Sequence, residues 1–322
     1  MSDETIDDIR GNSAQPVEVS SLWRDAWLRM GKNKAAMASL VLFILMFILC
    51  FVTAWFCKDP NAVSLTNKFA TPSVGHWMGT DALGRDLFAR ILYGGQISIL
   101  VGLIATTVSV CIGVTYGAVS GFAGGRVDAT MMRVVDVLLS IPFLVVVIVL
   151  QAVFSEWSSD TSAWIVKNWK WDKTFTDRFT NIVPLFFALG LFGWLTLARI
   201  VRAQVMSLKV REFVEAATAL GYNKFRVLFR HIIPNTLGPI VVYATLTVPS
   251  FIMYEATLSY LGLGVEAPNS SWGILIKEGA NFMETHPELL ILPGLFFSLT
   301  LFSLNFLGDG LRDALDPKAS KD

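Results

Sequence analysis

Ala35-Ala-Met-Ala-Ser-Leu40-Val-Leu-Phe-Ile-Leu45-Met-Phe-Ile-Leu-Cys50-Phe-Val-Thr-Ala-Trp-Phe-Cys57 runs for 23 residues without a charge. A helix rising 1.5 Å per residue crosses the hydrocarbon layer with about 20 apolar residues. In lipid the backbone must satisfy its own hydrogen bonds, and the run is too long for a barrel strand, so it reads as a membrane-spanning helix. Five more stretches read the same way: residues 96–121, 131–154, 182–205, 237–260 and 288–307. The fold class is therefore all-α, a polytopic membrane protein with six transmembrane helices. Gly121 and the Gly124-Gly125 pair end the second stretch, and Pro142 is expected to kink the third without ending it. Composition agrees, since 53% of the 322 residues are hydrophobic and 16% charged, against about 25% charged in a soluble domain. That balance, with a net charge of zero, excludes a secreted disulfide scaffold, a disordered chain and a nucleic-acid binder. Cys50, Cys57 and Cys111 all lie in apolar runs and read as packing residues rather than disulfide partners.

Working outward from the spans, six crossings put both termini on one side. That side holds 17 of the 26 Lys and Arg residues, so it should be the cytoplasm. The first span has too long an apolar core for a cleaved leader and reads as an uncleaved signal anchor. Residues 1–20, acidic and poor in apolar side chains, read as a mobile tail. The outer segments are then 58–95, 155–181 and 261–287. The middle one interleaves Trp157, Trp164, Trp169 and Trp171 with Lys and Asp. Amphipathic aromatics favour the headgroup level, so this segment is expected to lie flat on the outer surface.

Few residues carry recognisable chemistry. Gly79-Thr-Asp-Ala-Leu-Gly84-Arg85-Asp86 has the glycine spacing of a phosphate loop, but Arg85 and Asp86 stand where Lys and Ser/Thr are required, and the segment lies outside. His76, His231 and His286 are far apart in sequence and no zinc or nucleophile-elbow spacing occurs. No catalytic residue, metal site or cofactor site is assigned to this chain. Among ionisable residues near the spans, each expensive in lipid, Asp136 is expected to pair with Arg133 one turn away. Arg199 and Arg202 read as snorkelling anchors. Glu255 faces either an aqueous pathway or the outer interface. Gly113, Gly117 and Gly121 form a small-residue stripe, with Ser109 one turn back, that lets another helix approach closely.

The most informative cytoplasmic segment is Leu208-Lys-Val-Arg-Glu-Phe-Val-Glu215-Ala216-Ala217-Thr-Ala-Leu220-Gly221-Tyr-Asn-Lys-Phe-Arg-Val-Leu-Phe-Arg-His231-Ile-Ile233-Pro234-Asn235. Phe213, Ala216, Ala217 and Leu220 recur at helical spacing. Gly221 is the expected stop, and Asn223 the cap of a second short helix. That helix carries Phe225, Leu228, Phe229 and Ile232 on one side. Pro234 ends or kinks it before the fifth span. Such a hairpin suits a groove on a soluble partner or a resting place on anionic lipid.

Glu215, Ala216, Ala217, Gly221, Ile233 and Pro234 fall at the positions of the EAA motif, and the segment resembles that motif of permease subunits of ATP-binding-cassette importers. Arg230-His231-Ile-Ile-Pro234-Asn235 is similar to the variant of the peptide and nickel branch. So are Gly79–Asp86, Ser259-Tyr-Leu-Gly262-Leu-Gly264 with Ser271-Trp272-Gly273, and Asn305-Phe-Leu-Gly-Asp309-Gly-Leu-Arg312-Asp313-Ala-Leu-Asp316-Pro317. Together they resemble the C-type subunit of oligopeptide and dipeptide permeases from about residue 21 onward. The link over 155–181 is longer than is usual there.

The resemblance implies a type I importer transmembrane domain. Its parts would be an N-terminal tail (1–34), a first span with its outer segment (35–95), a five-helix core (96–308) and a C-terminal tail (309–322) in a bacterial inner membrane. It implies a second homologous permease, two ATP-binding subunits that hold the ATP and Mg, an outside substrate-binding protein and a peptide cargo. It places ATPase coupling at Glu215, Ala216, Ala217, Leu220, Gly221 and Pro234. Within the same family, dipeptides, peptide antibiotics or nickel complexes are alternative cargoes. From other classes, the rivals are a self-sufficient carrier or channel and a membrane scaffold.

Overall fold

The computed structural model describes residues 22–265 and 269–315. The N-terminal tail over 1–20 and the Asp316-Pro317 end of the last motif lie outside these described residues. Among the described residues regular structure is helical, apart from two isolated bridges, Ser73 with His76 and Thr80 with Asp86.

A surface helix, α1 (Leu22–Lys32), leads into α2 (Lys34–Phe51). The break between them is set by Asn33, whose Oδ1 accepts from the N–H groups of Ala35 and Ala36 at 3.1 Å, a side-chain cap on otherwise orphaned donors. After the outer loop, α3 (Leu87–Ala123) starts earlier than its apolar run because Asp86 caps it, accepting from Ala89 N–H at 2.8 Å. Next come α4 (Gly125–Leu139) and α5 (Phe143–Trp169). Here Pro142 does more than kink: the helix stops at Leu139 and restarts at Phe143. Proline offers no N–H to the preceding turn and turns the residue before it out of the α region.

The tryptophan-rich segment is also not flat. Helix α5 runs on through Trp169, Lys170 reverses the chain at φ 55°, and α6 (Lys173–Thr180) folds back along it. Helix α7 (Val183–Lys209) returns through the membrane, followed by the hairpin helices α8 (Glu212–Ala219) and α9 (Lys224–Val227). A π-turn (Leu228–Ile232) and a 3-10 turn (Ile233–Thr236) join α9 to α10 (Leu237–Leu261). The chain ends with α11 (Trp272–Ala280) and α12 (Glu288–Leu315). Among the described residues six segments are long and apolar enough to cross a membrane: Lys34–Phe51, Leu87–Ala123, Phe143–Trp169, Val183–Lys209, Lys224–Leu261 and Glu288–Leu315.

Helices α3 and α7 form the spine. Lipid is as apolar as a leucine core, so their association rests on close packing rather than on exclusion of water. Gly113, Gly117 and Gly121 face α7 within this same subunit; a Cβ on Gly117 would fall 2.3 Å from the Ala198 carbonyl oxygen. One turn further, Ser109 Oγ donates to the Gly190 carbonyl at 3.1 Å. At the end of the spine away from Gly121, Trp272 is fully buried and donates Nε1–H to Ile91 O at 3.0 Å, tying α11 to α3.

Candidate functional site

The hairpin is built from local chemistry. Glu212 and Glu215 sit in the first turn of α8, where carboxylates favour the positive helix end. At its C-terminus Tyr222 N–H donates to Ala217 O at 3.2 Å and Gly221 N–H to Thr218 O at 3.0 Å, the paired bonds of a Schellman stop. Gly221 takes φ +80° with no atom within 4 Å of where a Cβ would sit, so glycine is required there by conformation and not by space. Asn223 Oδ1 then accepts from Phe225 N–H at 3.2 Å to open α9. Pro234 cannot donate to its own preceding turn, and the ladder shifts to a π-turn before it and a 3-10 turn after it. Asn235 Nδ2 and Thr236 Oγ1 cover the His231 and Ile233 carbonyls at 2.6 and 2.7 Å.

The two apolar faces expected from spacing are each divided. Val214, Ala217, Val227, Leu228 and Ile232 are buried against Ala118 of α3, Leu197, Val201 and Val205 of α7, and Ile240 of α10. Phe213, Ala216, Leu220, Phe225 and Phe229 point away and are exposed, Leu220 by 76% and Phe225 by 70%. Ala217 therefore belongs to the anchoring face, not the outward one. Val214, not singled out from sequence, shares that face because it lies three residues before Ala217. Tyr222 stacks on His231 at 5.7 Å and carries the Arg226 guanidinium over its ring, stiffening the bend.

Helix α4 is clamped under the spine. Arg202 bonds Asp128 through Nε and Nη2, both at 2.5 Å, and Ser120 Oγ donates to the same carboxylate at 2.6 Å. Those bonds, the Arg202 contact foremost, hold the Asp128 carboxyl below the usual carboxylate range. Arg199 reaches Asp136 at 2.5 Å. Arg199 and Arg202 are thus partners of α4 rather than snorkelling anchors, and Asp136 pairs across helices rather than with Arg133.

A cavity of about 550 Å³ opens at membrane depth beside the α4–α5 break, between α7 and α10. Non-helical backbone at this depth is tolerated only inside protein or against water, and residues 140–142 form part of its wall. The hydroxyls of Thr196, Tyr243, Thr247, Ser250 and Tyr254 also line it, with no ionisable acid or base besides the tyrosines. The residues lining this cavity were not singled out from sequence, and helical spacing within α10 is the signal that could have grouped Tyr243, Thr247, Ser250 and Tyr254.

Glu255 stands elsewhere. It faces neither an aqueous path nor the outer interface but is fully buried between α3, α10 and α11. Ser98 Oγ and Ser259 Oγ donate to its two oxygens at 2.8 and 2.6 Å, and Trp272 N–H donates to Ser98 Oγ at 3.3 Å. It is the centre of a buried polar lock on the inward face of α10.

The glycine-spaced loop over Gly79–Asp86 is a turn closed on its own acid. Asp81 Oδ1 accepts from the N–H groups of Leu83 and Arg85 at 2.8 and 2.9 Å, filling the space a phosphate would need. Its other oxygen takes Arg85 Nε at 2.7 Å and Arg90 Nη1 at 2.8 Å. Glu278 of α11 bonds the same two arginines at 3.1 and 2.6 Å. Sequence separation hid this four-charge cluster, which fastens the loop to α11.

Comparison with known proteins places the architecture. The family described as "Binding-protein-dependent transport system inner membrane component" matches residues 113–321. The "N-terminal TM domain of oligopeptide transport permease C" matches residues 21–72. The chain is 46% identical over 307 residues to the oligopeptide transport system permease protein OppC of Haemophilus influenzae, covering 94% of this chain and 90% of that one. It is 44% identical over 305 residues to OppC of Escherichia coli K12, covering 94% and 93%. It is also 40% identical over 302 residues to the dipeptide permease DppC of Bacillus subtilis, covering 92% and 86%. With six spanning helices and a matched core over most of its length, the chain belongs to the binding-protein-dependent transport system inner membrane component family, the multi-pass permease components of ATP-binding-cassette importers.

Proposed function

We propose that this chain is the permease subunit of an ATP-driven oligopeptide importer, with one of the two ATP-binding subunits docking on its 208–235 hairpin. Both termini and the hairpin lie in the cytoplasm. A second homologous permease completes the pathway, and a soluble binding protein delivers cargo from outside. ATP and Mg belong to the ATPase subunits, and this chain holds no cofactor.

The observation that carries this reading is the division of the hairpin. One face is fixed to α3, α7 and α10 through Val214, Ala217, Leu228 and Ile232. The opposite face presents Phe213, Ala216, Leu220 and Phe225 within a rim that includes Glu215 and Arg226. A partner seated on the outer face moves the spans that the inner face grips. ATP can drive the cycle only if the ATPase engages one permease conformation better than another, and a stiff hairpin transmits that preference. Glu215 and Ala216 contribute contact, Leu220 an apolar anchor, Gly221 and Pro234 the shape, and Ala217 the attachment.

The cargo crosses beside the α4–α5 break. Hydroxyls from Thr196, Tyr243, Thr247 and Tyr254 meet peptide N–H and C=O groups whatever the side chains, which suits oligopeptides of varied sequence. The dipeptide permease among the relatives favours shorter peptides as the second reading.

The test is crosslinking from Ala216→Cys in the assembled transporter, with the partner ATPase rate measured with and without this chain. Adducts to an ATP-binding subunit, and a rate that responds to this chain and to loaded binding protein, are expected. Adducts only to lipid, or import by the purified chain alone on an ion gradient, would overturn the reading.

A further inference from the structure

The segment between α5 and α7 has no part in the hairpin, the cavity or the ion-pair cluster, yet it is firmly built. Ser158 Oγ donates to the Thr180 carbonyl, and Ser162 Oγ donates to Asp177 Oδ1 at 2.5 Å. Both serines are buried, so α5 and α6 form a fixed helical hairpin. At its tip Trp164, Trp169 and Trp171 gather, with centroids 6.1 Å apart for the first pair and 5.5 Å for the second. All three stay exposed, by 47 to 59%. Residues 164–173 also carry Lys167, Lys170 and Lys173 against one acid, Asp172, and the three lysines are exposed.

Height decides what the cluster can meet. From Arg199, at the cytoplasmic edge, to Thr180 along α7 and the residues before it is roughly 29 Å at 1.5 Å per residue, one hydrocarbon thickness of about 30 Å. Ser158, bonded to Thr180, therefore marks the outer edge on α5. Trp164 stands roughly 9 Å and Trp169 roughly 16 Å beyond that edge along the helix, whereas the headgroup layer is about 5–7 Å deep on each side. Trp157 sits at the edge and serves as the membrane-interface anchor. The other three indoles rise above the headgroups into water, where a stacked aromatic patch rimmed by cations has the composition of an interface hot spot rather than of a lipid anchor.

We infer that this projecting hairpin is an additional docking post for the soluble substrate-binding protein, with Trp164, Trp169 and Trp171 as anchors and Lys167, Lys170 and Lys173 selecting an acidic rim on the partner. The inference rests on the proposed orientation, which puts the tip on the outer side. The family's dependence on a binding protein supplies a soluble partner arriving at that side.

The assembled transporter in nanodiscs, carrying either the wild-type chain or W164A/W169A/W171A, is titrated with its labelled binding protein. The Kd is expected to rise roughly tenfold or more, with ATPase activity in the absence of binding protein unchanged. The rim variant K167E/K170E/K173E keeps the indoles and should slow association and flatten its salt dependence; it also decides the matter if the triple alanine variant fails to assemble. An unchanged Kd and association rate would overturn the inference, as would quenching of these indoles by tail-brominated lipid, which would make the tip a lipid anchor. Failure of the coupling reading shows separately, as an ATPase rate that ignores the wild-type chain.

Discussion

Glu255 poses the sharpest choice at the level of single residues. Two serine hydroxyls from different helices donate to it, so its removal strands buried donors, each costing about 1–3 kcal/mol. Glu255→Ala should lower thermal stability in detergent by about 2–4 kcal/mol. Glu255→Gln, which keeps one acceptor oxygen, should cost less than half as much and leave import near normal. A Gln variant that is stable yet fails to import would return Glu255 to the pathway. Asp128 offers a pH test. Its carboxyl is held low by Arg202, so it contributes stability above the ordinary carboxylate pKa and loses it as pH falls through that value toward the lowered one. At pH 7 Asp128→Asn should cost about 1–3 kcal/mol, and thermal melts of variant and wild type should converge as pH drops below about 4. Glu255 could be picked out in the sequence because charge near a span is conspicuous, whereas Asp128, just before the third apolar run, was not singled out and Asp136 drew attention instead. Neither acid's partner could be, since Ser98 lies 157 residues from Glu255 and Arg202 74 from Asp128.

At the scale of elements, the hairpin's stops were legible and its faces were not. Gly221, Asn223 and Pro234 act through their own backbone chemistry, which local sequence states directly. Helix α8 has only eight residues, and both of its long faces are apolar, so periodicity alone could not separate the anchoring Val214 and Ala217 from the exposed Phe213 and Leu220. Two contrasts follow from that division. Leu220→Asp and Phe225→Asp should leave folding intact and abolish stimulation of the partner ATPase, whereas Val214→Asp should destabilise the subunit itself, because it buries a charge. Equal loss of stability in all three would refute the two-faced hairpin. Gly221→Ala meets no neighbour and bears only the cost of a left-handed conformation, about 1–2 kcal/mol. Gly221→Val should be worse, with import stalled while membrane insertion remains normal. Full import by the valine variant would remove Gly221 from coupling. Pro142 illustrates the opposite limit: the backbone on either side of the break is satisfied by local bonds, Ser140 N–H to Asp136 O at 3.1 Å and Val145 N–H to Pro142 O at 3.0 Å, and the proline alone does not say whether a helix kinks or stops.

For the whole molecule, the hydropathy runs disclose the number of spans because lipid imposes length and composition on each one separately. They do not disclose how far helices continue beyond the lipid, so α5 was curtailed at the membrane edge and its extension through Trp169 read as a flat segment. They also left open which helix meets the glycine stripe. That contact matters mechanically because α3 joins the two ends of the subunit. One end carries Arg90, bonded to Glu278 of α11, and the other lies over the hairpin anchors through Ala118. Gly113, Gly117 and Gly121 bring α3 and α7 into close contact, and on the proposed coupling a displacement at the hairpin reaches the loop at the far end of α3 only while the two helices stay packed. Gly117→Leu should therefore fail at both ends together. Even its Cβ would sit 2.3 Å from the Ala198 carbonyl oxygen, and forcing backbone apart in a tight core costs about 1–3 kcal/mol or more. The expected result is reduced thermal stability, with partner ATPase stimulation and binding-protein response lost in parallel. Gly294→Ala, with nothing within 4 Å on the outside of α12, is the control and should be neutral or slightly stabilising. If Gly117→Leu kept its stability and lost only one of the two responses, α3 and α7 would be separable, and the hairpin would have to act through α10 alone.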